Sequence, residues 1–336
     1  MRKDPLLIAL IALSIAVAVA FPSTLGRLKE LINIKALVIL ANFMIISEMW
    51  RESNAFEKIA LGLSDKGGLK VLAGISALAG AILMNDAAMF FMVPIALAMD
   101  PSGASIPLIA AAVNIGSMIT PFGNPQNVII WTHYSVDFLS FILNTLPASL
   151  VPLAIIVYAL PPRGKLKEEV ELNKRIFALA FVLLVLSISL IEKNMEWIAL
   201  ALSLLTYVII NRKVPKIDFN LLIILALMMY SFGSLGYVLR LAVGGSLETM
   251  LVAAGLSQAI SNVPATLILI KSNPPWRALT LGVDIGGLGT PIASLSNLIA
   301  LRLSGYDYWE FTKVNVLLLV ISLGILCVTS LVLGYP

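Results

Sequence analysis

The sequence predicts an all-α polytopic membrane protein, an inverted-topology repeat with two re-entrant hairpins and two broken transmembrane helices. Three observations carry this expectation. The chain is 59% hydrophobic and 12% charged, where soluble domains average roughly 25% charged residues. Its mean hydropathy is +0.97, and apolar stretches follow one another from Leu6 to Leu333 with no polar segment long enough to fold as a separate soluble domain. Finally, VNIGSMITPFGNPQN at 113–127 returns as VDIGGLGTPIASLSN at 283–297, at an offset of 170.

Six of those fifteen positions are identical: Val113/Val283, Ile115/Ile285, Gly116/Gly286, Thr120/Thr290, Pro121/Pro291 and Asn127/Asn297. About one match is expected from average residue usage. The register continues at Ile129/Ile299, Asp137/Asp307 and Phe141/Phe311. Both runs combine helix breakers with side-chain oxygens and amides. At membrane depth such backbone survives only where it lines a cavity or is buried in protein.

Taken in order, Leu6 to Phe21 and Leu31 to Met49 are of bilayer-spanning length, the first read as a retained helix and not a cleaved signal. Lys35 and Glu48 near the ends of the second are expected to snorkel. Ser53 to Lys70 alternates Phe56, Ile59, Leu61 and Leu63 with charge, which suits an interfacial amphipathic helix. Val71 to Met84 and Ala87 to Met99 are too short to cross singly and flank Asn85-Asp86, a hairpin tip. Ile106 to Trp131 is the first broken span, and Phe138 to Leu160 follows. After a charged loop, Ile176 to Ile191 connects the halves; Trp197 to Ile210 and Phe219 to Leu239 answer the first two helices. Leu247 to Ile260 and Val263 to Ile270 form the second hairpin around Ser261-Asn262. Ala278 to Leu301 is the second broken span, and Phe311 to Leu333 is last.

Charge bias supports hairpins. With both non-crossing and the N-terminus cytoplasmic, 16 of 23 basic residues fall on one side, including Arg2, Lys3, Arg51, Arg163, Lys165 and Lys167; if both cross, the split is 10 against 13. Nine crossings result, with the C-terminus outside a cell membrane. Because the connecting span is an odd insertion, the halves face opposite ways, the plan of secondary transporters. The expected units are 1–160, the first repeat; 161–194, loop and connecting helix; and 195–336, the second repeat.

The net charge of +4 sits in short loops and gives no support for nucleic-acid binding. One cysteine, Cys327, excludes disulfides within the chain, and one histidine, His133, excludes imidazole metal clusters. His133 follows the broken span beside Trp131 and Tyr134, an aromatic-belt position. Arg240 and Lys271 near helix ends read as headgroup anchors before anion attractors. No nucleotide motif, Gly-x-Ser-x-Gly or His-Glu-x-x-His run is present, so an enzyme is not expected, nor any cofactor beyond Na⁺ or H⁺ as coupling ion.

Two tips and two broken helices would enclose a chamber of amides, hydroxyls and backbone. Helix N-termini there attract anions, while carbonyl ends and Asn or Thr oxygens hold Na⁺. Candidate substrate contacts are Asn85, Asp86, Ser117, Thr120, Asn124, Ser261, Asn262, Thr290 and Ser294. Candidates for cation binding or proton coupling are Asn85, Asp86, Asn114, Gly116, Asn127, Asn262, Asp284, Gly286 and Asn297.

NIGSMITPFGNPQN at 114–127, Ser261-Asn262-Val263 and Asn85-Asp86-Ala87 resemble the ion-transporter superfamily of divalent-anion:sodium symporters, arsenite permeases and sodium/proton antiporters, with its citrate-transporter-like domain. The resemblance implies two Na⁺ sites, one at Asn85 and Asn127 and one at Asn262 and Asn297, with an anion between them. Membrane lipids are the other expected partner, and no dimer contact is assignable, which leaves a homodimer open. Asp86 stands where the symporters place Asn, and Ala87 and Val263 where they place Thr. Asp284 replaces the Asn114 of the first half. Carboxylates at membrane depth cost a few kcal/mol unless paired, solvated or cation-bound. Asp86 and Asp284 therefore read as coupling residues. Small-anion transport coupled to Na⁺ or H⁺ is the first expectation, with Na⁺/H⁺ antiport through the two acids or arsenite efflux as alternatives.

Overall fold

The computed structural model describes residues 5–162, 170–239, 241 and 243–334. Arg2, Lys3, Arg163, Lys165, Lys167 and Arg240 lie outside the described residues. The described residues are helical, without strands. α1 (Pro5–Ala20) ends at Pro22, where the chain turns by 110° into Pro22–Leu31, whose last turn is α2 (Leu28–Leu31). α3 (Ile34–Glu52) is capped by Asn33, whose side chain accepts from the Ala36 amide at 3.0 Å. Glu48 does not snorkel. Its side chain is 11% exposed and paired with Arg51, which removes the cost of an unpaired acid. α4 (Ala55–Gly67) buries Ala55, Phe56 and Ala60, and Phe56 lies 5.6 Å from Trp50, so this face packs on protein.

α5 (Leu69–Leu83) and α6 (Asn85–Met99) fold back on each other about Met84, and α13 (Ser246–Ile260) and α14 (Asn262–Leu269) do so about Ser261. Neither pivot is glycine. Yet Met84 has φ 71°, ψ 141° and Ser261 has φ 75°, ψ 155°, the same sparsely populated conformation twice. The breaks are where the glycine and proline runs predict them. α7 (Ile106–Ser117) and α8 (Pro125–Tyr134) flank the first, α15 (Trp276–Gly286) and α16 (Leu295–Ser304) the second. α9 (Phe138–Ala159) and α17 (Tyr308–Leu333) follow. α10 (Lys174–Glu192), α11 (Glu196–Asn211) and α12 (Phe219–Leu239) lie between the halves.

The offset of 170 is visible in the backbone, since α7/α15, α8/α16 and α9/α17 each begin 170 residues apart. It also explains two identities outside the breaks. Asp137 and Asp307 cap α9 and α17 through their side chains, and Phe141 and Phe311 are fully buried. Each hairpin's first arm packs closely on its broken helix. A Cβ on Gly116 would stand 1.9 Å from the Ala77 carbonyl oxygen, and one on Gly286 2.8 Å from the Ala254 Cα. Small residues are what let helix backbones meet in an apolar solvent.

Among the described residues, four helices are long and apolar enough to cross a membrane alone: Phe138–Ala159, Lys174–Glu192, Phe219–Leu239 and Tyr308–Val332; the bent pair at the N-terminus makes five. α3 has the length but carries charge near both ends. This is an all-α polytopic membrane protein.

Candidate ion and substrate chamber

The first break is anchored by an aromatic stack. Phe122 lies within it, 4.2 Å from Phe43 of α3 and 6.1 Å from Phe138. Asn124 restarts the helix, accepting from the Asn127 amide at 2.9 Å, and Pro125 takes the first position, where no N–H is needed. The hairpin tip docks onto this unwound segment. The Asn85 amide donates to the Gly123 carbonyl at 2.8 Å, and Thr120 Oγ1 to the Ala81 carbonyl at 2.7 Å. In the second half Thr290 plays the part of Thr120, with Oγ1 donating to the Gln258 carbonyl at 3.3 Å; Ser261 Oγ donates to the Ala293 carbonyl at 3.4 Å.

Between the tips lies a small chamber of about 30 Å³. Asn85, Asp86, Ser261, Asn262 and Ser294 line it, with Gln126 from α8. Its remaining wall is apolar, supplied mostly by Leu221, Ile224, Leu225 and Met228 of α12, with Pro125, Val263 and Leu295. Ser117, Thr120, Asn124 and Thr290 stand behind this lining, committed to bonds within the protein.

The two breaks meet through amides. Asn85 Nδ2 donates to Asn114 Oδ1 at 3.2 Å, Asn114 Nδ2 to Asn297 Oδ1 at 2.7 Å, and Asn297 Nδ2 to the Gly287 and Thr290 carbonyls at 2.9 and 3.3 Å. This chain satisfies itself. By the repeat, Asn114 and Asn297 correspond to Asp284 and Asn127, and the counterpart is not closed. Asp284 Oδ1 accepts from Asn124 Nδ2 and Gln126 Nε2, both at 3.0 Å, and Asn127 lies beside the carboxylate. Asp284 Oδ2 and Asn127 Oδ1 are both buried without a donor. A buried carboxylate oxygen left without a donor is one that a proton or a hard cation would satisfy. Asp86 is 8% exposed and accepts from Ser296 Oγ at 2.6 Å.

The described bonds thus join Asn85 to Asn297 through Asn114, and set Asn127 against Asp284. The pairing expected from the sequence grouped Asn85 with Asn127 and Asn262 with Asn297. Gly116 and Gly286 serve helix contact, whereas Asn262 Nδ2 lies 3.1 Å from where a Cβ on Gly287 would stand. Sequence reasoning missed Ser296, Gln258 and the α12 wall. Gln258 binds the second break from both ends of its amide, Nε2 to the Gly286 carbonyl at 2.5 Å and Oε1 from the Thr290 amide at 2.9 Å. No sequence signal marks it, since it occupies the place of Ala81.

A helical membrane body whose polar residues converge on two helix breaks and two hairpin tips is that of a secondary transporter. The chain belongs to the citrate transporter family, CitMHS, whose sequence model matches residues 1–274. It is similar to the inner membrane protein YbiR of Escherichia coli (strain K12), with 31% identity over 262 residues and 70% of each chain covered. Similarity to the uncharacterized transporter MJ0456 of Methanocaldococcus jannaschii is 29% over 294 residues, 82% of each chain. The silicon efflux transporter LSI3 of Oryza sativa subsp. japonica matches at 28% over 134 residues, 37% of this chain and 28% of its own. The chain is a multi-pass membrane transporter and not an enzyme.

Proposed function

We propose that the protein moves a small anion, a dicarboxylate or an oxyanion, by alternating access driven by a Na⁺ or H⁺ gradient. The halves 1–160 and 195–336 would face opposite ways in the membrane, joined through 161–194, with the N-terminus cytoplasmic and the C-terminus outside. The carrying observation is the pair of buried, donorless oxygens, Asp284 Oδ2 and Asn127 Oδ1. A cation or proton there neutralises the carboxylate. With Asp86 also neutralised, the Asn85, Asn262 and Ser261 groups and the tip helices' N-terminal ends are left to hold the anion.

The test is uptake of labelled citrate, succinate or sulfate into proteoliposomes under an inward Na⁺ or H⁺ gradient. Accumulation that collapses with the gradient supports the reading. Na⁺/H⁺ exchange without flux of any anion overturns it and favours the antiporter reading, which rests on Asp86 in the chamber wall, on Asp284 bonded to the lining residue Gln126, and on the lack of Lys or Arg among the described lining residues. The same lack of positive charge suits a neutral hydroxide such as arsenite or silicic acid, and LSI3 is named for silicon efflux. Efflux of those solutes from loaded vesicles tests that case.

A further inference from the structure

A second cavity, of about 250 Å³, is separate from the chamber between the tips. One side is the segment 29–34 with Met229 of α12; the other is Ile129 and His133 of α8 with Leu267, Ile270 and Lys271 at the end of the second hairpin. Lys271 is half-buried. Its stem lies along α12, where a Cβ on Gly233 would be 3.6 Å from Lys271 Cε. Among the described residues no carboxylate comes within 4.0 Å of its ammonium, although Arg27, Arg51, Lys213 and Lys313 all have such partners. Lys29 and His133 line the same space. The one acid in the lining, Glu30, is 3.5 Å from Arg27 and so already has a cation. The wall is held by Asn33, whose Nδ2 donates to Thr132 Oγ1 at 2.8 Å while its Oδ1 caps α3.

A lysine drawn partly out of water with Glu30 near but no carboxylate in contact is only partly compensated, and an anion in the roomy space it shares with a second lysine and an imidazole would complete the compensation. We propose that this cavity binds a small tetrahedral oxyanion of the phosphate type, held chiefly by Lys271 with Lys29 and His133 at its rim. The ligand is either a free inorganic ion or the phosphate of a lipid headgroup. Bound there, it bridges the 29–34 segment to the second hairpin. The site stands independently of what the chamber carries.

The test uses the full chain in neutral detergent, with melting followed against sodium phosphate, against short-chain phosphatidylglycerol, and against sodium chloride at matched Na⁺ and ionic strength. A ligand of the native state raises Tm saturably. The site predicts such a rise with at least one phosphate probe, shifted to at least tenfold higher concentration in Lys271→Gln and severalfold in Lys29→Gln, but kept in the chamber variant Asp284→Asn. Saturation by inorganic phosphate assigns a soluble ion, and saturation by phosphatidylglycerol alone assigns a headgroup; both support the site. Because Lys29 is exposed, its variant reads the site even if Lys271→Gln does not fold. Equal titrations in wild type and both lysine variants, or no saturable rise with either probe, overturn the proposal.

Discussion

Asp284→Asn should make the protein more stable while removing its coupling. In the wild type, Asp284 Oδ1 takes two amide donors and Oδ2 none, and the neighbouring Asn127 Oδ1 also lacks a donor. An asparagine keeps an oxygen for Asn124 and Gln126 and turns an NH₂ toward the empty side. One new buried hydrogen bond contributes about 1 kcal/mol. Removing a buried carboxylate contributes up to about 3 kcal/mol on insertion scales. The gain is therefore about 1 to 4 kcal/mol, or a Tm rise of roughly 1–6 °C for a chain of this size. Melting is compared at pH 8 in choline chloride, where neither Na⁺ nor protons are plentiful, and again after adding NaCl. Wild type should gain Tm with NaCl or on acidification, and the variant should gain clearly less, keeping only the part that Asp86 contributes. Gradient-driven uptake by the variant should fall to background. A variant that melts at or below wild type in choline, or that still accumulates substrate, would refute the assignment.

Three further outcomes follow from the same geometry. Gly116→Ala drives a methyl into the Ala77 carbonyl and should cost at least about 1–3 kcal/mol in thermal melting, while Gly26→Ala, with nothing within 4 Å, should not register. Ser296→Ala removes the described donor to Asp86, worth about 1.5–3 kcal/mol for a charged acceptor, and should change the cation or pH dependence of uptake more than its maximal rate. Asp137→Ala should lower the melting temperature equally across neutral pH. The backbone bond from Ser140, first among its causes, holds the Asp137 carboxyl below its ordinary 3.8. The cap's contribution is thus complete above that value and disappears only as acid titrates the folded form, so a wild-type advantage that falls between pH 6 and 8 would contradict the capping role.

The breaks, the hairpins and most of the chamber's polar residues were legible because glycine, proline and amides in an apolar chain have few permitted locations. The offset of 170 marked Asp137 and Asp307 as equivalent positions, and their side-chain bonds show that both are helix caps. The partnerships between halves were not legible. Asn114 meets Asn297 across 183 positions, and the tips Met84 and Ser261 are 177 apart where the breaks are 170 apart, so no single register superposes tip and break. Glu48 differs from the expectation because its i+3 neighbour on α3, Arg51, pairs with it, a spacing the sequence does contain. Gln258 was missed because its repeat-mate, Ala81, offers only a carbonyl.

The bends at Met84 and Ser261 limit how the transporter can move. Each side-chain-bearing residue sits in a backbone conformation that only glycine adopts freely, a strain of about 1–3 kcal/mol. It is restrained by the facing break, through Asn85 to Gly123 in one half and Ser261 to Ala293 in the other. Pulling a tip off its break would release a loaded spring and scatter the amides it presents. Under the proposed alternating access each tip would travel with its break as a single rigid cartridge, and α12 would be held to the second of them where Gly236 meets the Ile268 backbone.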